Sequence, residues 1–148
     1  MAETLVLSKI LNVRENEKKD AQREYQQSMD TFERIATELY HLLKKKEVAE
    51  ESYECYLHTT TQIDILKEQI TYMEKLNKQI MKLQNGVQTA RTKMECKQSE
   101  LTDAHIEVKK YENIIEVRNK KKVENFNREE KAFMDEISIQ QYVIHKNR

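Results

Sequence analysis

Residues 66–115 read LKEQITYMEKLNKQIMKLQNGVQTARTKMECKQSELTDAHIEVKKYENII. Alternate steps of 3 and 4 residues from Leu66 reach fifteen positions, and all but Gln69 and Lys97 are apolar or tyrosine. They are Leu66, Gln69, Met73, Leu76, Ile80, Leu83, Val87, Ala90, Met94, Lys97, Leu101, Ala104, Val108, Tyr111 and Ile115. Apolar residues spaced about 3.5 positions apart are typical of a coiled-coil seam, because they keep one stripe of the helix facing a partner. This stretch therefore predicts one long helix packed lengthwise against another.

A matching stripe runs through residues 7–56. Alternate steps of 4 and 3 reach Leu7, Leu11, Arg14, Lys18, Ala21, Tyr25, Ser28, Phe32, Ile35, Leu39, Leu42, Lys46, Ala49, Tyr53 and Tyr56. Arg14 and Lys18 are its weakest part, where long aliphatic stems can cover the seam while the charges stay in water. Folding the chain about residue 61 pairs positions whose numbers sum to 122, so that Leu42 faces Ile80. The predicted fold is all-α, with two long helices in an antiparallel coiled-coil hairpin and a turn near 58–62.

The turn region is rich in threonine, which is a poor residue inside a helix and a good one at a helix start. Thr59 with Gln62, or Thr61 with Asp64, fits a capping box for the second helix. Asn85-Gly86 is a second turn signal, and a turn there would give three helices. The seam nevertheless passes from Leu83 to Val87 without a shift, and a lone glycine costs a helix only about 1 kcal/mol. We therefore predict that Gly86 lies inside a continuous helix.

The apolar repeat stops after Ile115, because Arg118, Lys122, Asn125 and Glu129 occupy its next positions. We predict a single coiled-coil domain over residues 1–148, with a paired rod at about 7–115 and a single-helix overhang at about 116–148, called the overhang below. A new apolar set lies in it: Phe126, Phe133, Met134, Ile137, Ile139, Tyr142, Val143 and Ile144. We expect no residues of the first helix to cover this set. An uncovered apolar segment binds a partner, or it frays or self-associates.

Composition argues against most other functions. Only 38% of residues are hydrophobic, and 26 basic residues balance 26 acidic ones. Nucleic-acid binding favours a basic excess, so the basic run at 118–122 is interpreted as a solvated face and no nucleic-acid partner is expected. One glycine cannot build a phosphate-binding loop, and a rod offers no concave pocket for a substrate. We predict a protein that is not an enzyme and has no cofactor.

Other chemical signals are weak. Glu54 and His58 form one helical pair with metal-ligand spacing, and surface histidines are the simpler interpretation. Cys55 and Cys96 form neither a CxxC pair nor a disulfide framework. The first residues lack the apolar core of a signal peptide, and no apolar run approaches the length of a membrane span. We expect a cytoplasmic protein without direct membrane insertion.

A further apolar set lies just beside the predicted seam. Met29, Ala36, Tyr40 and Leu43 follow the seam spacing one position later, and Ile70 and Tyr72 add apolar surface at the start of the second helix. Such residues either widen the core stripe or form a docking strip for a helix or linker of another protein.

Three stretches, at residues 7–27, 94–112 and 134–141, carry a family resemblance. They read LSKILNVRENEKKDAQREYQQ, MECKQSELTDAHIEVKKYE and MDEISIQQ. In order and spacing they resemble the FliJ proteins of the flagellar type III export apparatus, most closely the Bacillus-type members. The resemblance covers nearly the whole chain and agrees with the hairpin plan and the lack of proline.

The resemblance implies a non-catalytic, stalk-like component of flagellar protein export. It implies binding to a hexamer of the export ATPase FliI, with promotion of its assembly and hydrolysis, and contacts to the export gate protein FlhA and to export chaperones. It also implies peripheral association with the export apparatus at the inner membrane. The alternative from the residues alone is a structural coiled-coil tether or self-associating scaffold.

The site residues implied by the resemblance fall into two groups. The expected ATPase-ring contacts are Ile10, Leu11, Val13, Phe126, Phe133, Met134 and Ile137, with the N-terminal three lying beside the tail. The expected export-gate and chaperone contacts are Tyr40, Leu43, Ile70 and Met73. The gate pattern of the family, Tyr-x-x-aromatic-aliphatic-x-x-Leu-Glu, is changed here to Leu66-x-x-Gln69-Ile70-x-x-Met73-Glu74. Both family aromatics are absent from it, so only Ile70 and Met73 are carried over.

Overall fold

Two long helices make up nearly all of the described chain. The computed structural model describes residues 2–59 and 62–147, with α1 at Ala2–His58 and α2 at Ile63–Lys146. None of these described residues lies in a β-strand. The helices pack against each other in opposite directions, which confirms the predicted all-α antiparallel hairpin with a second helix longer than the first.

The chain divides into two compact units. The terminal unit contains residues 1–18 and 104–148, and the turn unit contains residues 19–103. Each unit holds a stretch of α1 against a stretch of α2.

The turn unit has a narrow core along the predicted seam. Its most buried side chains are Ser28, Ala49, Leu76, Ile80 and Ala90. In both units, every seam position predicted in α2 is buried or half-buried. The same holds for every predicted seam position in α1 except Tyr56, which is exposed. Ser28 is accommodated in the core because its hydroxyl donates to the Tyr25 carbonyl at 2.7 Å. The heptad pattern therefore identified the core correctly.

Contacts within each unit agree with the predicted register. In the turn unit, a β-carbon built on Gly86 would lie 3.6 Å from Ile35 Cγ2, and the Lys97 ammonium lies 3.0 Å from Glu24. In the terminal unit, Arg118 pairs with Glu3. The residue numbers in each pair sum to 121, one less than the 122 that the seam predicted. The longer side chain of Gln69 reaches further along the seam, to the Ala49 carbonyl.

The turn lies where the threonine-rich stretch predicted it. α1 ends at His58 and α2 begins at Ile63, and the Gln62 carbonyl accepts hydrogen bonds from the amides of Ile65 and Leu66. The Thr59 hydroxyl donates to the Cys55 carbonyl at 3.0 Å, at the end of α1. The alternative capping pair of Thr61 with Asp64 falls partly outside the described residues.

Gly86 lies inside α2, which continues through Asn85-Gly86 without a break. The glycine does not adopt a positive φ, so no turn geometry is present there. The prediction of a continuous helix is confirmed, and the three-helix alternative is wrong.

Candidate functional site

Two polar contacts hold the first turn of α1 against α2 in the terminal unit. The Arg118 guanidinium lies 2.6 Å from the Glu3 carboxylate, and Lys122 Nζ donates to the Thr4 hydroxyl at 3.1 Å. Both are surface contacts, and exposed ion pairs contribute little stability. Their effect is to position the start of α1 beside the first turns of the overhang.

Arg14 covers the weak part of the seam, as its long stem predicted. Its guanidinium lies 3.0 Å from Glu17 and 4.0 Å from Glu107, and it stacks 5.9 Å from the centre of the Tyr111 ring. Hydrogen bonding to the Glu17 carboxylate raises the pKa of Arg14. The cation is therefore held at the edge of the seam by charges on both helices of this unit.

An open groove lies on one face of the terminal unit and is called the terminal groove. Its volume is about 680 Å³, and its apolar lining comes from Leu11, Ile115 and Val123. The remaining lining residues are Glu112, Glu116, Asn119, Lys120 and Glu124. An apolar floor with charged edges is the usual form of a surface that receives another helix.

The overhang exposes its apolar side chains. Of the described residues 116–147, all are exposed except Ile137, which is half-buried. Phe126 is 66% exposed and Phe133 is 60% exposed. At 100° per residue, Phe126, Phe133 and Ile137 lie within about 40° of one another around α2. They form an apolar stripe on one side of the overhang, called the overhang stripe below, and Met134 lies at its edge.

The predicted ATPase-ring residues do not form one patch. Leu11 lies in the terminal groove with Ile115. Ile10 is half-buried and Val13 is exposed, and both turn at least about 100° away from Leu11 around α1. Arg14, the next residue, packs against Tyr111.

This packing places the N-terminal group well away from the overhang stripe. From Ile115 to Phe126 is eleven residues, or about 16 Å of helix. The expectation that residues 10–13 lie beside residues 126–137 is therefore wrong. The reason is the register, because the first turn of α1 already lies beside Arg118 and Lys122.

The predicted gate and chaperone residues lie in the turn unit. Tyr40, Leu43 and Ile70 are exposed, whereas Met73 is half-buried in the seam. Leu43 and Ile70 each follow a seam position. Two antiparallel helices that lie side by side are related by a two-fold axis perpendicular to the plane that contains both. Rotation about this axis exchanges the two helices, but it leaves the upper face of the pair uppermost. Residues that follow a seam position on either helix therefore share one face of this unit.

The His, Cys, Asp and Glu side chains of the described residues are scattered along the two helices. Among them, no group of three or more His, Cys, Asp or Glu side chains is arranged to hold a metal ion, and Cys55 and Cys96 are exposed thiols. No helix in the described part of the chain is long and apolar enough to cross a membrane.

Comparison with known proteins identifies the family of the chain. Residues 4–147 match the family described as "Flagellar FliJ protein". The chain belongs to the FliJ family. It is 36% identical over 148 residues to a "Flagellar FliJ protein" of Bacillus subtilis strain 168, covering 97% of this chain and 98% of that relative. No solved structure matches the chain.

Membership fixes the broad role of this FliJ-family chain. The family is related to flagellar protein export and is not a known enzyme family. The family resemblance seen in residues 7–27, 94–112 and 134–141 is thereby confirmed.

One apolar residue of the terminal groove lies outside the pattern that predicted the fold of this FliJ-family chain. Val123 lines it, although the position falls outside the seam repeat. It lies eight residues after Ile115, about 80° further around α2. Val123 can be found from the sequence by continuing the α-helical rotation of 100° per residue past Ile115, instead of the strict heptad spacing.

Proposed function

We propose that this FliJ-family chain is a non-catalytic coiled-coil stalk of the flagellar export apparatus. In this proposal it binds the ring of the export ATPase FliI, promotes ring assembly and ATP hydrolysis, and connects the ring to the gate protein FlhA and to export chaperones. It acts in the cytoplasm, peripherally associated with the export apparatus at the inner membrane, without binding nucleic acid or inserting into the bilayer.

The observation that carries the proposal is the exposed overhang stripe. Three large apolar side chains on one side of a helix favour contact with another protein, because burying each of them contributes about 1.5–3 kcal/mol. Phe126 and Phe133 are more than half exposed, so most of that free energy remains available. The terminal groove at Leu11 and Ile115 extends the apolar surface of the same unit.

The proposed gate and chaperone contact uses the other unit. Tyr40, Leu43 and Ile70 present exposed apolar surface there, and Met73 supports it from the seam. A partner helix or linker that covers these side chains gains apolar burial without disturbing the hairpin.

The test measures ATP hydrolysis by a purified flagellar export ATPase with and without the full chain. We expect stimulation by the wild type and its loss in the double variant Phe126→Ala/Phe133→Ala. The matched control is Ile139→Ala/Tyr142→Ala. These two residues are also more than 60% exposed but lie on the opposite side of the overhang helix.

Two results contradict the proposal. One is the absence of stimulation by saturating wild-type chain with an ATPase that is active alone. The other is equal stimulation by the Phe126→Ala/Phe133→Ala variant and the wild type, since it would mean that the overhang stripe does not contact the ring.

A self-associating scaffold is the second candidate, favoured by the spacing of the overhang apolar residues. Phe126, Phe133, Ile137 and Ile144 are separated by 7, 4 and 7 residues. The spacing of 7, 4 and 7 residues is the same when it is read from either end. Two antiparallel copies can therefore pair Phe126 of one copy with Ile144 of the other. Light scattering over a range of concentrations distinguishes the candidates, because a stable dimer disrupted by Phe126→Ala/Phe133→Ala supports the scaffold.

A further inference from the structure

A second open groove lies in the turn unit and is called the lysine groove. Its volume is about 710 Å³, and its lining residues are His41, Lys44, Lys45, Val48, Ala49, Ser52, Gln69 and Tyr72. Val48 is 62% exposed and Tyr72 is 45% exposed. The groove is therefore an apolar channel open to solvent, with cationic side chains along it.

Small side chains create the floor of the lysine groove. Ala49 is buried at a seam position and is followed one turn later by Ser52, so α1 leaves a depression between the larger side chains of Val48 and Tyr72. Gln69 occupies the other seam position of the floor, where its amide donates to the Ala49 carbonyl at 3.4 Å. This hydrogen bond satisfies a polar side chain that would otherwise be buried at some cost.

The groove lies on the face opposite to Leu43 and Ile70. His41, Lys45, Val48, Ser52 and Tyr72 each come directly before a seam position. By the same two-fold argument, residues that precede a seam position share the face that Leu43 and Ile70 do not occupy. The lysine groove thus lies on the other face from Leu43 and Ile70, and Lys44 at its edge also contacts the Tyr40 ring of the proposed gate contact.

The charge of the groove is not neutralised from within. None of its lining residues is a carboxylate. Lys44 and Lys45 have no carboxylate within ion-pair distance among the described residues, whereas the adjacent Lys46 pairs with Glu50. The Lys44 ammonium lies 5.2 Å from the centre of the Tyr40 ring, a contact that leaves its charge uncompensated.

A polar groove elsewhere in the same unit shows the opposite pattern. It is lined by Glu24, Gln27, Ser28, Thr31, Lys93 and Lys97, and Lys97 pairs with Glu24 at 3.0 Å and with Glu100 at 3.3 Å. The charge of Lys97 is thus balanced there by two carboxylates of the protein itself. Of these two grooves, only the lysine groove combines an apolar lining with lysines that lack a carboxylate partner among the described residues.

We propose that the lysine groove is a docking site for an acidic amphipathic helix of another protein. The α1 residues that line it lie between His41 and Ser52, a stretch of twelve residues that spans about 16 Å. This is the length of a three-turn helical contact. The apolar side of the bound helix packs between Val48 and Tyr72 over Ala49. Its carboxylates face Lys44 and Lys45, so the partner forms a third helix beside α1 and α2.

The test is fluorescence anisotropy with the full chain and labelled helical peptides of about five turns. One peptide carries leucines at coiled-coil spacing with flanking glutamates, and its twin carries lysines in place of the glutamates. We expect the acidic peptide to bind at least about tenfold more tightly than the twin. We also expect its binding to weaken as salt is raised, because rim charges are screened.

Variants locate the binding. Val48→Glu and the double variant Lys44→Glu/Lys45→Glu are each expected to weaken acidic-peptide binding at least about tenfold. Met81→Glu is the matched control, since Met81 is 64% exposed in the same unit and lies outside the groove. Circular dichroism checks that each variant is folded, which is expected because all the changed side chains are exposed.

The proposal is overturned if no peptide binds, if the acidic and basic peptides bind equally, or if Val48→Glu binds like the wild type. A peptide of this chain's own residues 123–146 serves as a further probe. Tighter binding of that peptide than of the acidic design, with concentration-dependent oligomers of the full chain, would make a second copy the occupant and overturn the assignment to another protein. These outcomes do not depend on the ATPase assay.

Discussion

Within the single helix α2, Ile80 in the turn unit is 5% exposed and Phe133 in the overhang is 60% exposed. Both are large apolar residues, and both lie in stripes with coiled-coil spacing. The difference is that Ile80 packs against α1, whereas Phe133 is left open to solvent. Apolar spacing alone therefore does not reveal whether a side chain stabilises the hairpin or remains available to a partner.

The largest expected effect comes from a substitution in the buried seam. Ile80→Ala removes a buried side chain from the seam and should lower the free energy of unfolding by about 2–4 kcal/mol. The measurement is urea unfolding followed by circular dichroism. Met81→Ala, at the neighbouring exposed position, should change stability by less than about 0.5 kcal/mol. Equal effects of the two would contradict the seam.

A gain of stability is expected from Gly86→Ala. The new methyl group would meet Ile35 at 3.6 Å, an ordinary van der Waals distance, and alanine favours helix over glycine by about 1 kcal/mol. We expect an increase in unfolding free energy of about that size in the same urea experiment. A loss of stability would mean that the helix needs glycine at this position.

On the exposed side, Phe133→Ala should leave the stability of the free chain within about 0.5 kcal/mol of the wild type. Little of this side chain is buried in the free chain, so its removal takes little apolar surface out of the protein interior. Thermal unfolding of the two proteins measures this directly. A loss comparable to that of Ile80→Ala would show that the overhang stripe is covered within the free chain.

The smallest effect concerns a charge within the seam. Hydrogen bonds to Glu24 and Glu100 raise the pKa of Lys97 above its ordinary value of 10.5. The folded state therefore holds this proton more tightly, so the charge contributes stability below pH 10.5 and loses it as the pH rises through the raised pKa. The melting temperature of the wild type, relative to that of Lys97→Met, should therefore fall as the pH rises above 10.5.

The control for this prediction is Glu24→Gln, which removes one carboxylate acceptor and leaves the lysine. The pH-dependent shift should become smaller in that background. If the difference between wild type and Lys97→Met does not change with pH, the Lys97 ion pairs do not contribute to folding.

Sequence alone predicted the fold to the level of individual seam residues. Heptad spacing requires only that a stripe be buried, and the hydrophobic effect makes that requirement strong over residues 66–115. The continuity of α2 through Gly86 followed from the unbroken phase of the same stripe. The turn followed from the threonine-rich stretch between the two stripes.

The candidate sites were less predictable, because they depend on which face each side chain occupies. Ile70 and Tyr72 were grouped as one apolar surface, yet two residues in a helix differ by about 200°. Ile70 lies on the face of Leu43, and Tyr72 lines the lysine groove. Likewise, residues 10–13 were expected beside the tail from the family resemblance, whereas their position is set by the register of the seam.

The most direct test of the comparison is hydrogen–deuterium exchange of the full chain, alone and with a flagellar export ATPase. We expect amides in residues 123–146 to become protected when the ATPase is added, and amides around Ile80 to exchange slowly in both samples. Protection confined to the turn unit, or unchanged exchange in residues 123–146 under conditions where the two proteins bind, would contradict the assignment of the overhang as the ATPase contact.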